Sequence, residues 1–227
     1  MKTMRMCAQR QWRFTLKSFA ISCGGRLREL APPCSACERP SLRFVCSQCV
    51  EERRLKVPQK PPEGSGISII RSEFLYEDWA EKFLWTYKEM SQPEILHELI
   101  AFLPCPVERE SIDAVVAVAS DPVSNRRRFF DPSQEMGERL SKAWGLPFVR
   151  GAFRRSPQPF SQKDLPRSLR QTVASRTISL QSDRLAGIRH VLLVDDLMTT
   201  GESLAAHGRL LRALDIEVRA WTLFRKL

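Results

Sequence analysis

An apolar run that ends in two adjacent acids constrains the fold of this chain more than any other sequence feature. Residues 190–201 read His-Val-Leu-Leu-Val-Asp-Asp-Leu-Met-Thr-Thr-Gly. A short β-branched apolar run of this kind is typical of a strand buried on both faces of a parallel sheet. Leucines at helical spacing follow in residues 202–214, and a second apolar run occupies residues 217–224. The pattern therefore predicts a strand–turn–helix–strand unit.

The turn after the first predicted strand has the residues of a phosphate-binding loop. Thr199, Thr200, Gly201 and Ser203 fall where the helix begins, and free backbone N–H groups and the helix dipole favour an anion there. Glycine lets the backbone approach a ligand closely, and the hydroxyls add hydrogen-bond donors. The alternative is a plain turn in which Thr200 caps the helix.

Asp195 and Asp196 come immediately before this loop. A ligand whose phosphate lies in the loop would therefore present its next atoms to two carboxylates. A ribose 5-phosphate fits, because its 2′- and 3′-hydroxyls can donate to the carboxylates while Mg²⁺ offsets the remaining charge. The alternative is that the two acids merely end a strand.

Four cysteines form two Cys-x-x-Cys pairs near the N-terminus, at Cys34 with Cys37 and at Cys46 with Cys49. Two such knuckles can supply the four sulfurs of a closed, tetrahedral structural zinc site. The spacer between the pairs is shorter than in the commonest zinc pattern, which predicts a minimal ribbon. Redox-active dithiols or disulfides are the alternatives, but neither pair opens a βαβ pattern.

The remaining sequence predicts a small module, a linker and one large domain. Residues 1–56 hold the cysteines, residues 57–66 are rich in Pro and Gly and read as a linker, and residues 67–227 form the large domain. Within that domain we expect helices at 74–90, after Pro93 and around 136–144, and a strand at 112–119. Ser120–Arg128 is expected to be a loop, and most of residues 151–185 a mobile basic loop.

With these motifs in place, the sequence resembles the type I phosphoribosyltransferase family. The signature of that family for 5-phosphoribosyl 1-diphosphate is an apolar strand, Asp-Asp and a Thr-Thr-Gly loop. The double Cys-x-x-Cys narrows the resemblance to the ComF-type branch, which is associated with bacterial DNA uptake, and the likeness covers about residues 30–227. It implies an α/β fold, a parallel sheet with helices on both faces and a flexible hood, preceded by a small zinc ribbon with four cysteine ligands.

The resemblance also implies roles for two groups of arginines. Arg126, Arg127 and Arg128 occupy the place of the family's basic run, which faces the pyrophosphate, and Phe129 stands where the family has glycine. Arg167 and Arg170 match the hood segment and would close over the site. The implied reaction is an Mg²⁺-dependent transfer in which a nucleophile replaces pyrophosphate at C1 of the ribose. None of the three histidines suggests a general base, because each lies in or beside an apolar element.

Two other functions remain open from the sequence. A non-catalytic sensor of a phosphoribosyl compound or nucleotide would need only the phosphate-binding loop at residues 199–203, here called the phosphate cradle. It would not need a loop that binds pyrophosphate. A nucleic-acid accessory to DNA-uptake proteins is favoured by charge, because the chain carries +10 and residues 126–189 hold 14 basic and 5 acidic side chains. In that case Trp12, Phe14 and Phe44 could stack on the unpaired bases of single-stranded DNA between Arg13, Arg39 and Arg43. The alternative is that these aromatic residues form the core of the small module.

Hydropathy and cysteine content bear on location. No window contains the 18 or so uninterrupted apolar residues of a membrane span. Seven cysteines suit a reducing compartment if most of them are reduced or metal-bound. The expectation is a cytoplasmic protein with no membrane span, and its oligomeric state is outside the sequence.

Overall fold

The computed structural model of the protein describes residues 31–156 and 177–227. The α-helices of this part are α1 (Ser47–Arg53), α2 (Asp78–Lys88), α3 (Ile95–Ile100), α4 (Pro122–Arg128), α5 (Pro132–Trp144) and α6 (Glu202–Arg212). The strands are β1 (Ile67–Leu75), β2 (Ala114–Ala117), β3 (Phe153–Arg155), β4 (Ile178–Leu180), β5 (His190–Met198) and β6 (Glu217–Arg225). None of these helices has the length and hydrophobicity of a membrane-spanning helix.

Four of the strands form a parallel sheet in the order β1-β6-β5-β2. The acid-bearing strand β5 is an inner strand, with β6 on one side and β2 on the other. Its residues Val191 to Val194 are at most 1% exposed, as expected for a strand covered on both faces. The predicted parallel α/β sheet is therefore confirmed.

Alternation along β5 divides the core into two layers. Leu192 and Val194 pack with helices α2, α3 and α5, whereas Val191 and Leu193 pack with α6 and the β3–β4 pair. The cysteine module joins the first layer, because Cys34, Cys49 and Val50 are buried in the same cluster as α2 and α3. The boundary predicted at residues 57–66 stays a prediction, although Gln59 already pairs with Ile70 of β1.

The expected helix at 74–90 is wrong at its start. Phe74 lies in strand β1, which ends at Leu75, and helix α2 begins only at Asp78. The apolar residues from Phe74 onward are spaced as in a helix, because the end of the strand and the start of the helix pack into one aromatic cluster. The rings of Phe74 and Trp79 lie 5.2 Å apart, and both contact Phe224. The sequence did not predict this strand, because the polar residues Arg71 and Glu73 interrupt its apolar pattern.

Residues 122–128 form helix α4 rather than the expected loop. Asp121 caps this helix, since its carboxylate accepts hydrogen bonds from the backbone N–H groups of Val123 and Ser124, each at 3.2 Å. Pro122 follows at the first helical position, where its missing N–H costs nothing. Parts of residues 151–185 are also ordered, as the antiparallel pair β3–β4. Arg167 and Arg170 lie outside the described residues, as do Trp12, Arg13 and Phe14.

Candidate functional site

Asp195 and Asp196 lie near the carboxyl end of β5, at a topological switch point. The chain leaves β2 toward the layer of α5 and leaves β5 toward α6, so the two neighbouring strands send their loops to opposite faces. In open α/β sheets, ligands bind in the crevice that such a divergence opens. The sequence motif and the sheet topology therefore point to the same place.

The two carboxylates are buried on opposite faces of the sheet. Asp195 is 8% and Asp196 5% exposed, and the backbone N–H of Asp196 donates to Asp195 Oδ1 at 2.9 Å. Burial, and then the charge of Asp196, raise the pKa of Asp195 to about 7. Burial therefore makes Asp195 costly to ionise, and hydroxyl donors or a cation at this site would stabilise its charge.

A lysine that the sequence motifs did not indicate is paired with this site. Lys88, the last residue of α2, forms an ion pair with Asp196 Oδ2. The charge of Lys88 also acts to lower the pKa of Asp195, against the larger effect of burial. No motif surrounds Lys88 in the sequence, so only the packing of α2 against the sheet reveals its partner.

An arginine on the other face is a second residue that sequence reasoning missed. Arg155 lies on β3 and is half-buried. Burial lowers the pKa of its guanidinium group, whereas the charges of Asp121 and Asp195 act to raise it. Its buried Nε donor has no hydrogen-bond partner among the described residues. An unpaired guanidinium donor beside the acid pair is suited to an anionic oxygen.

The predicted phosphate cradle has the expected backbone. Gly201 is buried with φ of +77° and precedes α6, and a Cβ at this position would lie 3.0 Å from Pro62. Both the left-handed conformation and the close approach require glycine. Thr199 and Thr200 are exposed, whereas Ser203 is half-buried in the first turn of the helix. Residues 199–203 therefore offer backbone donors and hydroxyls at one helix N-terminus.

His207 connects the cradle to the segment that follows β2. It is fully buried, its Nε2 accepts a hydrogen bond from the Ala119 N–H at 2.9 Å, and its Nδ1 lies 2.7 Å from the Ser203 carbonyl. Its ring meets that of Phe153 edge-on, with the centroids 4.5 Å apart. Burial lowers the pKa of His207 to about 4, so the ring is neutral at pH 7. These contacts give it the structural role that the sequence favoured.

The arginine run ends α4 with its members in different environments. Arg126 and Arg127 are exposed, whereas Arg128 pairs with Glu89 just beyond α2. The Ser91 hydroxyl also donates to the Arg128 carbonyl at 2.9 Å. The run thus offers two available guanidinium groups rather than three.

The four cysteine ligands predicted for zinc converge. The sulfurs of Cys34, Cys37, Cys46 and Cys49 all lie within 4.8 Å of one another, and those of Cys37 and Cys46 are 3.8 Å apart. Zinc–sulfur bonds of about 2.3 Å in a tetrahedron place sulfurs about 3.8 Å from one another. The spacing therefore fits a structural metal such as zinc, and the four cysteines are free thiols rather than disulfides.

Hydrogen bonds to the sulfurs support metal-binding thiolates. The backbone N–H groups of Ala36 and Cys46 approach Cys34 Sγ at 3.5 and 3.3 Å. The Arg39 Nε donates to Cys37 Sγ at 3.4 Å, and this contact is the main cause of a Cys37 pKa lowered to about 6. Burial raises the pKa of Cys49 to about 12, an effect that a bound cation would oppose.

Comparison with known proteins gives one curated relative. The chain is 25% identical over 215 residues to competence protein F of Haemophilus influenzae, covering 85% of this chain and 90% of the relative. No protein-family model matches the chain.

Similar solved structures are adenine phosphoribosyltransferases. The Saccharomyces cerevisiae enzyme, complexed with an imino-altritol bisphosphate and adenine, is 22% identical with a TM-score of 0.38, covering 79% of this chain and 87% of that chain. The Thermoanaerobacter pseudethanolicus enzyme is 15% identical with a TM-score of 0.34, covering 79% and 99%. The similarity to this curated relative, the parallel sheet and the four-cysteine cluster agree with the ComF-type resemblance of the sequence.

Proposed function

We propose that this protein binds 5-phosphoribosyl 1-diphosphate, or a related phosphoribosyl compound or nucleotide, with Mg²⁺ at the carboxyl end of β5. One observation carries the proposal: two buried adjacent aspartates are followed, after four further residues, by a left-handed glycine and a helix N-terminus. The 5-phosphate would accept hydrogen bonds from the first turn of α6 and from Thr199 and Thr200. The ribose hydroxyls would donate to Asp195 and Asp196.

The charge of the site supports a cation. Lys88 pairs with Asp196 and the Arg155 charge acts on Asp195, yet burial together with the Asp196 charge still raises the pKa of Asp195. Carboxylates and phosphate oxygens are the ligands that Mg²⁺ prefers. When bound, Mg²⁺ would neutralise charge on the pyrophosphate as the C1–oxygen bond breaks.

The remaining basic residues suit the pyrophosphate. Arg126 and Arg127 are exposed on α4, and Arg155 has an unpaired buried donor beside Asp195. In a transfer reaction, a nucleophile would form a bond to C1 while pyrophosphate leaves with the electron pair of the broken bond. Arg167 and Arg170 would exclude water from this step if the hood closes as the family resemblance implies.

A phosphoribosyl sensor is the second candidate. The observation that favours it is the Arg128–Glu89 ion pair, which removes one of three cations from the expected pyrophosphate run. Sensing needs the cradle and the acid pair, whereas transfer also needs stabilisation of the leaving pyrophosphate. By analogy with the relative named competence protein F, either activity would serve competence. The ComF-type resemblance further implies a role in DNA uptake, and we expect the protein in the cytoplasm.

Calorimetric titration of 5-phosphoribosyl 1-diphosphate with Mg²⁺ tests the proposal. The wild type is compared with the Asp195→Asn/Asp196→Asn variant and with Asp215→Asn, which removes one carboxylate charge at a left-handed turn before β6. We expect binding in the wild type and in Asp215→Asn, and its loss in the double variant. Equal binding by all three proteins, or none by the wild type, would contradict the proposal.

Pyrophosphate release on the same samples separates the two candidates. Release that requires an added acceptor, and that the double variant lacks, would identify a transferase. Binding that depends on the aspartates without release across a screen of nucleobase and amine acceptors would identify the sensor.

A further inference from the structure

We propose that Lys88 is a positioning residue that takes the place of a divalent cation at Asp196, so that the free protein holds no Mg²⁺ at the acid pair. A phosphoribosyl compound without pyrophosphate would then bind without any metal. This inference deepens the proposed function and rests on it for the identity of the ligand. The effect of Lys88 on the cation is tested without that ligand.

The ion pair between Lys88 and Asp196 is the central observation. Lys88 Nζ contacts Asp196 Oδ2, and the two side chains are only 26% and 8% exposed. Charges that are shielded from water in this way interact more strongly than charges at the surface. Among the described residues, neither side chain has another ion-pair partner. Lys88 therefore already supplies the positive charge that a metal ion would bring to this carboxylate.

The end of α2 is held in the position that this contact needs. The preceding residue, Tyr87, is fully buried, and its hydroxyl donates to the Pro132 carbonyl at 2.6 Å. The following residue, Glu89, pairs with Arg128. The C-terminal end of a helix also favours a positive charge, because its last carbonyl groups have no partner within the helix. The ammonium group is thus presented to Asp196 by an anchored helix end.

The two acids of the pair are compensated unequally. On the face of α2, Lys88 is paired with Asp196 alone. On the other face, the charges of both Asp121 and Asp195 act on Arg155, so one cation is shared between two carboxylates. Mg²⁺ is usually bound by one or two carboxylates together with substrate phosphates. With Asp196 already paired, the free protein offers a single available carboxylate, and phosphate oxygens of a ligand must complete a metal site.

A purely structural ion pair between α2 and β5 is the alternative. Apolar packing already fixes the helix against the sheet, because Phe83, Leu84 and Tyr87 are at most 6% exposed and lie in the same core layer as Val194. A buried ion pair adds little to such packing, since the desolvation of both charges offsets their attraction. Packing therefore does not account for a lysine at this position, whereas charge compensation of the acid does.

Titration of Mn²⁺ alone, followed by the loss of its electron paramagnetic resonance signal, tests the role of Lys88 on the full chain. The zinc site does not interfere, because Mn²⁺ binds most weakly of the divalent first-row metals and does not displace zinc from thiolates. We expect Lys88→Gln to bind Mn²⁺ about tenfold more tightly than the wild type, because one positive charge beside the ion is removed. Lys88→Arg keeps that charge and should bind like the wild type.

Two further variants control this titration. Lys82→Gln removes an exposed lysine of the same helix that forms no ion pair with a described residue, and it should bind Mn²⁺ like the wild type. Lys88→Gln/Asp196→Asn should lose the gain in affinity, which would assign the ion to Asp196. Circular dichroism checks the fold of every variant. Lys88→Met, which keeps an apolar stem, replaces Lys88→Gln if that variant does not fold.

Ribose 5-phosphate gives a second readout by calorimetry. The wild type should bind it equally well with and without Mg²⁺, whereas Lys88→Gln should bind it about tenfold more weakly until Mg²⁺ is added, because the uncompensated acids repel the phosphate. Equal Mn²⁺ affinity in the wild type and Lys88→Gln, or tighter Mn²⁺ binding by Lys88→Arg, would overturn the role of Lys88. No binding of ribose 5-phosphate by the wild type would instead contradict the proposed function, and the Mn²⁺ titration would still decide the role of Lys88.

Discussion

Protonation of His207 should destabilise the protein in acid. The neutral ring donates from Nδ1 to the Ser203 carbonyl and accepts at Nε2 from the Ala119 N–H. A proton on Nε2 would replace that acceptor by a donor facing another donor, and would leave a charge in a fully buried site.

The magnitude follows from the pKa of His207. The folded value of about 4 lies below the ordinary value of 6.5, so the stabilisation is complete above about pH 6.5 and is lost as the pH falls through 4. Each pKa unit corresponds to about 1.4 kcal/mol, which makes the loss about 3 kcal/mol between pH 7 and pH 4.

Urea unfolding at about pH 7, 6, 5 and 4, followed by circular dichroism, measures this loss. His207→Gln keeps an amide donor and acceptor but does not titrate, so the difference between wild type and variant isolates the histidine from other acid-sensitive groups. We expect that difference to fall by about 3 kcal/mol toward pH 4. His97→Gln, at an exposed position on α3, is the control and should follow the wild type. Parallel pH profiles for wild type and His207→Gln would refute the reasoning.

Three further predictions concern the metal module and the backbone. Purified protein should contain about one zinc per chain by mass spectrometry, and Cys34→Ser should lose it, because a four-sulfur site does not close with three; stoichiometric zinc in the variant would contradict the site. Phe129→Gly should be about 1 kcal/mol more stable than Phe129→Ala in urea, because glycine relieves the left-handed strain; equal stabilities would mean that the turn is unstrained. Gly208→Ala should lower the unfolding free energy by about 2 kcal/mol, because its Cβ would lie 2.5 Å from the Ser65 carbonyl oxygen; an unchanged midpoint would show that α6 can shift.

Local patterns were sufficient for the strand that carries the acid pair. The apolar run at 190–194 can be buried on both faces in a parallel sheet, and the following Thr-Thr-Gly turn leads directly into a helix. Likewise, each Cys-x-x-Cys knuckle is a short-range arrangement, and the four sulfurs meet as the spacing predicts. These features depend on neighbours in sequence, so they can be recognised without a structure.

Local patterns failed where packing between segments decides the structure. Phe74 reads as helical but lies in β1, because its ring belongs to an aromatic cluster with Trp79 and Phe224. The arginine run reads as a loop but ends a helix, and here the overlooked signal was local: Asp121 caps the helix and Pro122 opens it. In both places the deciding contacts come from side chains whose effect a periodicity count does not weigh.

The sequence by itself determined the chemistry of the candidate site, since adjacent residues carry the acids, the hydroxyls and the glycine. Only the tertiary structure decided what surrounds them: Lys88 on Asp196, Arg155 beside Asp195 and His207 between the cradle and β2. The strand order β1-β6-β5-β2 brings these distant segments to one edge of the sheet. That order results from burying two apolar faces at once, which is a property of the whole chain rather than of any segment.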